Sequence, residues 1–82
     1  MNLINQKQLV KILGISRSAF YEKMKHGLWP KPIKIAPRAN RWFQHEVEEM
    51  IRLMATGASD EQIRRKVEEI HEARERCVGA FA

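Results

Sequence analysis

Apolar residues recur at helical spacing in four stretches of this 82-residue chain. In the first, Leu9, Ile12 and Leu13 form a short stripe expected to be buried. Asn5 stands where an N-cap belongs, and Gln8, three residues on, completes the side-chain pair of a capping box. Gly14 ends this helix, because glycine takes the left-handed conformation that closes a last turn, and Ile15 then drops into the shared core. Ser16 restarts the chain, its hydroxyl placed to accept from the free amides of a second helix, Arg17 to His26, which Gly27 closes in the same way. Phe20 and Met24 give this second helix its buried side. Ser18, Tyr21, Glu22 and Lys25 fall on the opposite side, with Arg17 at the exposed N-terminal end beside them. Two short amphipathic helices joined by a tight turn form a helix-turn-helix, and such an outer face is what a recognition helix needs.

The pattern then changes period. Pro30 and Pro32 forbid helix, Ile33, Lys34 and Ile35 alternate as a half-buried strand does, residues 36–40 read as a loop carrying Arg38 and Asn40, and Arg41-Trp42-Phe43 reads as a short aromatic strand. A strand, loop and strand after a helix-turn-helix describe a wing. From His45 to about Thr56 helical spacing returns with Val47, Met50, Ile51 and Met54, and Gly57 stops it. Ser59-Asp60-Glu61-Gln62 is a second capping box and opens a fourth helix, Asp60 to about Arg76, with Ile63, Val67 and Ile70 in one narrow stripe and Cys77 as its candidate continuation. Glu61–Arg65, Arg64–Glu68, Arg65–Glu69 and Glu72–Arg76 are spaced as i,i+4 pairs, and Val78–Ala82 is expected to fray. The expected fold is therefore mainly α: a winged helix-turn-helix over residues 1–56 with a small two-stranded β wing, followed by an additional C-terminal helix and tail over 57–82.

Charge sharpens this picture. The net charge is +5, but residues 1–43 hold nine basic side chains against Glu22 alone, whereas residues 44–82 hold six basic and nine acidic ones. A basic half carrying a helix-turn-helix points to a polyanion, most simply DNA, lying against the first half. Cys77 is the only cysteine, so neither an intramolecular disulfide nor a cysteine zinc site is expected, in keeping with a reducing cytosol. No signal core and no apolar run near 20 residues is visible, so a soluble, cytoplasmic protein is expected, with no membrane partner.

Gly14-Ile15-Ser16-Arg17-Ser18 running to Tyr21, then Trp29-Pro30-Lys31-Pro32-Ile33-Lys34-Ile35, Pro37-Arg38, Arg41-Trp42 and Glu46-Val47 resemble the AlpA family of phage and prophage regulators. The resemblance covers about residues 3–55 and implies a small winged helix-turn-helix similar to the MerR DNA-binding domain and to phage excisionases. It also implies a transcription regulator, a recombination directionality factor or both, acting on a promoter or an attachment site, with a cognate integrase as a candidate partner. Two features depart from the family. Ala36 stands where the wing loop usually has glycine, and the helix from Asp60 extends beyond the shortest members, so no role for it carries over.

Candidate DNA-binding residues are Ser16, Arg17, Ser18, Tyr21, Lys25, Lys34, Arg38, Asn40 and Arg41. Arg17 is the best candidate for a base edge, since a guanidinium can bond guanine O6 and N7 together; Ser18 and Tyr21 can reach bases or phosphates, and Lys25 suits a phosphate. Ser16 is first a cap. Glu22 is unfavourable near DNA unless it accepts from a cytosine amine or pairs with a nearby lysine. Arg38 and, less strongly, Arg41 suit a minor groove or its phosphates. Trp29, Trp42 and Phe43 read as core rather than as stacking platforms for single strands. His45 and Glu49 lack a third metal ligand, His26 and His71 look isolated, and the Cys77 thiol looks incidental. No cofactor, metal or catalytic residue is expected: the chain has no phosphate-cradling glycine loop, nucleophile elbow or His-Glu-x-x-His run, so it is not expected to be an enzyme. The rival reading is a protein-interaction module that uses the acidic C-terminal helix. That helix must cover its stripe either on the third helix, giving the monomer favoured here, or on a second copy, giving a dimer through residues 60–76.

Overall fold

In the computed structural model, which describes the backbone of residues 2–81 and the side chains of residues 2–76, the chain forms four helices and a three-stranded antiparallel sheet. In chain order the elements are β1 (Leu3–Asn5), α1 (Gln6–Leu13), α2 (Arg17–Lys25), β2 (Ile33–Ala36), β3 (Ala39–Phe43), α3 (Gln44–Ala55) and α4 (Asp60–Phe81). The strand order is β1-β3-β2, so the sheet has three strands where two were expected. The added strand pairs Leu3 with Phe43 and Asn5 with Arg41, and the Gln44 amide donates to the Asn2 carbonyl at 3.0 Å. Three residues directly before a capping box carry too little alternation to reveal a strand whose partner lies about forty positions on.

The caps form as their residues dictate. Asn5 Oδ1 accepts from the Gln8 amide at 2.8 Å and Gln8 Oε1 accepts from the Asn5 amide at 3.1 Å. Gly14 closes α1 with φ of 66°. Ser16 Oγ accepts from the Ala19 amide, and Ser59 with Gln62 repeats the reciprocal box before α4. Each such cap stabilises its helix by about 1 kcal/mol.

The core joins Leu9 of α1, Phe20 of α2, Trp29 and Trp42, Val47 and Met50 of α3, and Ile63, Val67 and Ile70 of α4. Both tryptophans are buried as core, each edge-on to Phe20, and Trp42 Nε1 donates to the Pro30 carbonyl at 2.9 Å. Phe43 is half-buried and lies against His45. The stripe of α4 is thus covered inside the chain, and the segment beyond residue 56 contributes to the same core as the segment before it. Burial of its three aliphatic side chains contributes about 1.5–3 kcal/mol apiece.

Three isoleucines fall outside that core. Ile12 is 53% exposed, because Leu9, Val10 and Leu13 share one arc of α1 and Ile12 lies roughly 110° from its centre. Ile51 is exposed for the same reason: Glu46, Val47, Met50, Leu53 and Met54 occupy the inward arc of α3. Ile35 is the extra residue of a bulge between Lys34 and Ala36, which breaks the expected alternation and leaves it 53% exposed. Helix α4 runs beyond Arg76 to Phe81 in place of a frayed tail. The Cys77 stripe position and the side chains of residues 78–82 lie outside the described residues.

Candidate nucleic-acid interface

Helix α2 presents its outer face because Phe20 is drawn into the core and Met24 packs against it. Ser16, Arg17, Ser18, Tyr21 and Lys25 are all exposed. Ser16 is committed to its cap. The Tyr21 hydroxyl donates to Gln6 Oε1 at 3.2 Å, which ties α2 to the start of α1. Glu22 finds its partner in His26 at 3.3 Å, one turn away, rather than in a lysine.

The hairpin β2–β3 turns on two residues, Pro37 and Arg38, a tighter connection than the five-residue loop expected. Proline fixes the first turn position near φ of −65°, and no non-glycine residue described here has positive φ, so Ala36 needs no glycine geometry. The register shift at Ile35 lies directly beside this turn. Arg38 stands exposed on the turn. Lys34 and Asn40 are cross-strand partners, both exposed, so they project side by side from one face. Arg41 is held closer in: it sits on the central strand between Ile33 and Asn5, half-buried, with Nη1 donating to the Asn40 carbonyl at 2.8 Å.

Among the described residues, Arg17, Lys25, Lys34, Arg38 and Arg41 form no ion pair within 4.0 Å. Apart from Glu22–His26, the ion pairs that form lie away from α2 and the hairpin. Lys66 of α4 meets Glu49 of α3 at 3.6 Å and Glu69 at 3.9 Å, in place of the four i,i+4 pairs expected along α4. The residues considered for metal are otherwise engaged, His45 against Phe43 and Glu49 with Lys66.

A second polar cluster escaped the sequence reading. Glu46, only 4% exposed, accepts from Arg74 Nε at 3.0 and 3.1 Å, and Arg74 Nη1 also donates to the Lys31 carbonyl at 2.6 Å. His71, which looked isolated, accepts from the Lys31 amide at 3.0 Å. Burial pushes the His71 imidazole below its ordinary pKa, and the nearby charges of Arg74 and Lys31 add to this against Glu46 and Glu75. One signal was present in the sequence: at about 100° per residue Arg74 falls in line with Ile63, Val67 and Ile70, as Glu46 does with Met50. A lone charge on each of two apolar stripes marks a buried pair.

Capped helices joined by a tight turn, together with a hairpin that carries exposed cations, make up a small mixed α/β domain. The chain belongs to the family of the prophage CP4-57 regulatory protein (AlpA), whose model matches residues 2–53. Regulators of this family bind DNA. No curated protein and no solved structure matches the chain. No described helix is long and apolar enough to cross a membrane.

Proposed function

We propose that this protein is a winged helix-turn-helix regulator, MerR-like in fold, that binds specific double-stranded DNA sequences of a phage, prophage or genomic island in the cytoplasm and catalyses no reaction. Helix α2 enters the major groove and the β2–β3 hairpin meets the adjacent minor groove. On its sites it regulates promoters, directs an integrase toward excision by bending an attachment site, or does both. The observation that carries this reading is the set of cations on these two elements that form no ion pair among the described residues, Arg17 and Lys25 on α2 and Lys34, Arg38 and Arg41 on the hairpin, within a half of the chain whose nine basic side chains face Glu22 alone. Unpaired surface cations cost nothing to desolvate from a partner, and each phosphate they neutralise releases a counterion. The interaction-module reading gains less support, because the apolar stripe of α4 is already spent on the core of its own chain.

Titration of a labelled random-sequence duplex over a range of salt concentrations tests the reading. With about six phosphates neutralised, log K should fall against log salt with a slope near −5. A slope near zero would overturn backbone-driven DNA binding. A footprint over the protein's own promoter and a neighbouring attachment site then separates regulation from excision.

A further inference from the structure

The connector from the C-cap of α2 to the start of β2, residues 26–32, pairs its first three amides with carbonyls at the end of α2, His26 with Glu22, Gly27 with Met24 and Leu28 with Lys23, and from Trp29 on it forms no further backbone–backbone bond among the described residues. The carbonyls of His26, Pro30 and Lys31 and the amide of Lys31 are left to other partners, at Pro30 away from water and at His26 and Lys31 on exposed residues. Side chains supply the partners. Trp42 takes the Pro30 carbonyl, and the remaining three contacts come from one helix. Arg64 Nε donates to the His26 carbonyl at 2.9 Å, at the C-terminal end of α2, where a cation also complements the helix dipole. His71 Nε2 accepts from the Lys31 amide, and Arg74 Nη1 donates to the Lys31 carbonyl while its Nε holds Glu46 of α3.

We infer that α4 is a positioning clamp: Arg64, His71 and Arg74 grip both ends of the connector between α2 and the hairpin and so fix the spacing at which these two elements meet a duplex. The inference rests on the DNA-binding reading above. If α4 served only to cover the core, Ile63, Val67 and Ile70 would suffice. Instead Arg64 and His71 lie together on one edge of that stripe, and Arg74 within it, and all three reach backbone atoms of a single connector. Arg64 reaches the end nearer the recognition helix and Arg74 the end nearer the hairpin. Pro32 follows Lys31 directly and β2 begins at Ile33, so anchoring both polar atoms of Lys31 sets where the hairpin departs. Helix α4 starts at Asp60, past the end of the family match at residue 53, so Arg64, His71 and Arg74 lie outside the matched segment.

His71 offers a readout that mere stability would not move. Its Nε2 accepts from an amide, so the ring must be neutral with its proton on Nδ1, and protonation removes the acceptor. The charged groups facing it are Lys31 from the connector, Glu46 from α3, and Arg74 and Glu75 from α4. Glutamine keeps an acceptor there without titrating; leucine fills the space without one.

The test uses the full chain and a duplex selected by the wild type from a random-sequence pool, under conditions where circular dichroism shows every variant folded. His71→Leu and Arg64→Met should bind this duplex at least tenfold more weakly and with a salt slope shallower by one to two, and His71→Gln should restore both. Arg64 is exposed, so its variant keeps the test open even if His71→Leu unfolds. Arg38→Ala should cost less in the Arg64→Met background than in the wild type, because a hairpin out of position has less to lose. Folded variants with wild-type affinity and slope overturn the clamp and leave the DNA reading intact. A loss of binding that merely follows the folded fraction, with wild-type slope, overturns it too. A wild type without salt-dependent binding would sink the DNA reading and the clamp with it.

Discussion

The Tyr21 hydroxyl donates to Gln6 Oε1 at 3.2 Å, joining the outer face of α2 to the first turn of α1. The bond spends the one hydrogen that the phenol could give to a phosphate, while the ring itself stays 50% exposed. Among the described residues the Gln6 amide nitrogen has no partner, so the Tyr21 hydroxyl supplies the one hydrogen bond of its side chain. Tyr21→Phe should therefore lower stability by about 1 kcal/mol in urea melts. Affinity for a selected duplex should change less than threefold. A larger loss of affinity would place the hydroxyl on DNA.

Arg17 and Arg38 stand exposed on different elements and pair with no carboxylate, so truncating either should spare the fold. Arg17→Ala should cost about 1–3 kcal/mol of binding and relax preference at one base pair. Arg38→Ala should weaken binding across sequences and lower the salt slope by roughly 1, as loss of one phosphate contact does. Competition assays against single-base variants of the duplex would distinguish the two. Wild-type binding by both variants would move the interface off α2 and the hairpin.

What the sequence revealed was chiefly local. The pairs Asn5 with Gln8 and Ser59 with Gln62 act across three residues, and Gly14 acts on the helix it ends, so their spacing alone marked the element boundaries. The exposed basic face of α2 followed from the positions of Phe20 and Met24. What stayed hidden was non-local. Leu3–Asn5 becomes a strand only because Phe43 and its neighbours offer an edge, and Arg64 and His71 look like ordinary helix surface until the His26 carbonyl and the Lys31 amide are set before them. Backbone acceptors leave no mark in a sequence. Apolar residues misled in the opposite sense: Ile12, Ile35 and Ile51 were counted inward by type, whereas the arc of each helix and the bulge of β2 turned them out.

The half-buried His71 imidazole makes stability depend on pH with a definite sign. His71 titrates lower in the folded protein than in the unfolded chain, where the value is about 6.5, so the unfolded state binds more protons as pH falls. The contribution of neutral His71 is fully present above that unfolded value and is lost as pH drops through it toward the folded value. Urea midpoints measured from pH 8 to pH 5 should fall on the acid side. His71→Gln should remove the part of that slope near neutrality and leave any carboxylate-driven loss at lower pH. An unchanged pH profile in the glutamine variant would take His71 out of the transition.

Val67 discriminates between the two ways in which the stripe of α4 could be covered. In this chain it lies in the core beside Ile63 and Ile70, on a helix packed against α3, so a carboxylate there has no water and no partner. Burying that charge, or expelling α4 to avoid it, costs about 3 kcal/mol or more, a large part of what a domain of this size has. Val67→Glu should therefore lower the melting temperature sharply or unfold the chain. Arg65→Glu, on an exposed position of the same helix, should melt like the wild type. In sedimentation the wild type should run as a monomer at all concentrations, since its stripe is satisfied within one chain, and an operator with inverted half-sites one helical turn apart is then not required. A concentration-dependent dimer that Val67→Glu splits into well-folded monomers would mean instead that a second copy covers α4 in solution.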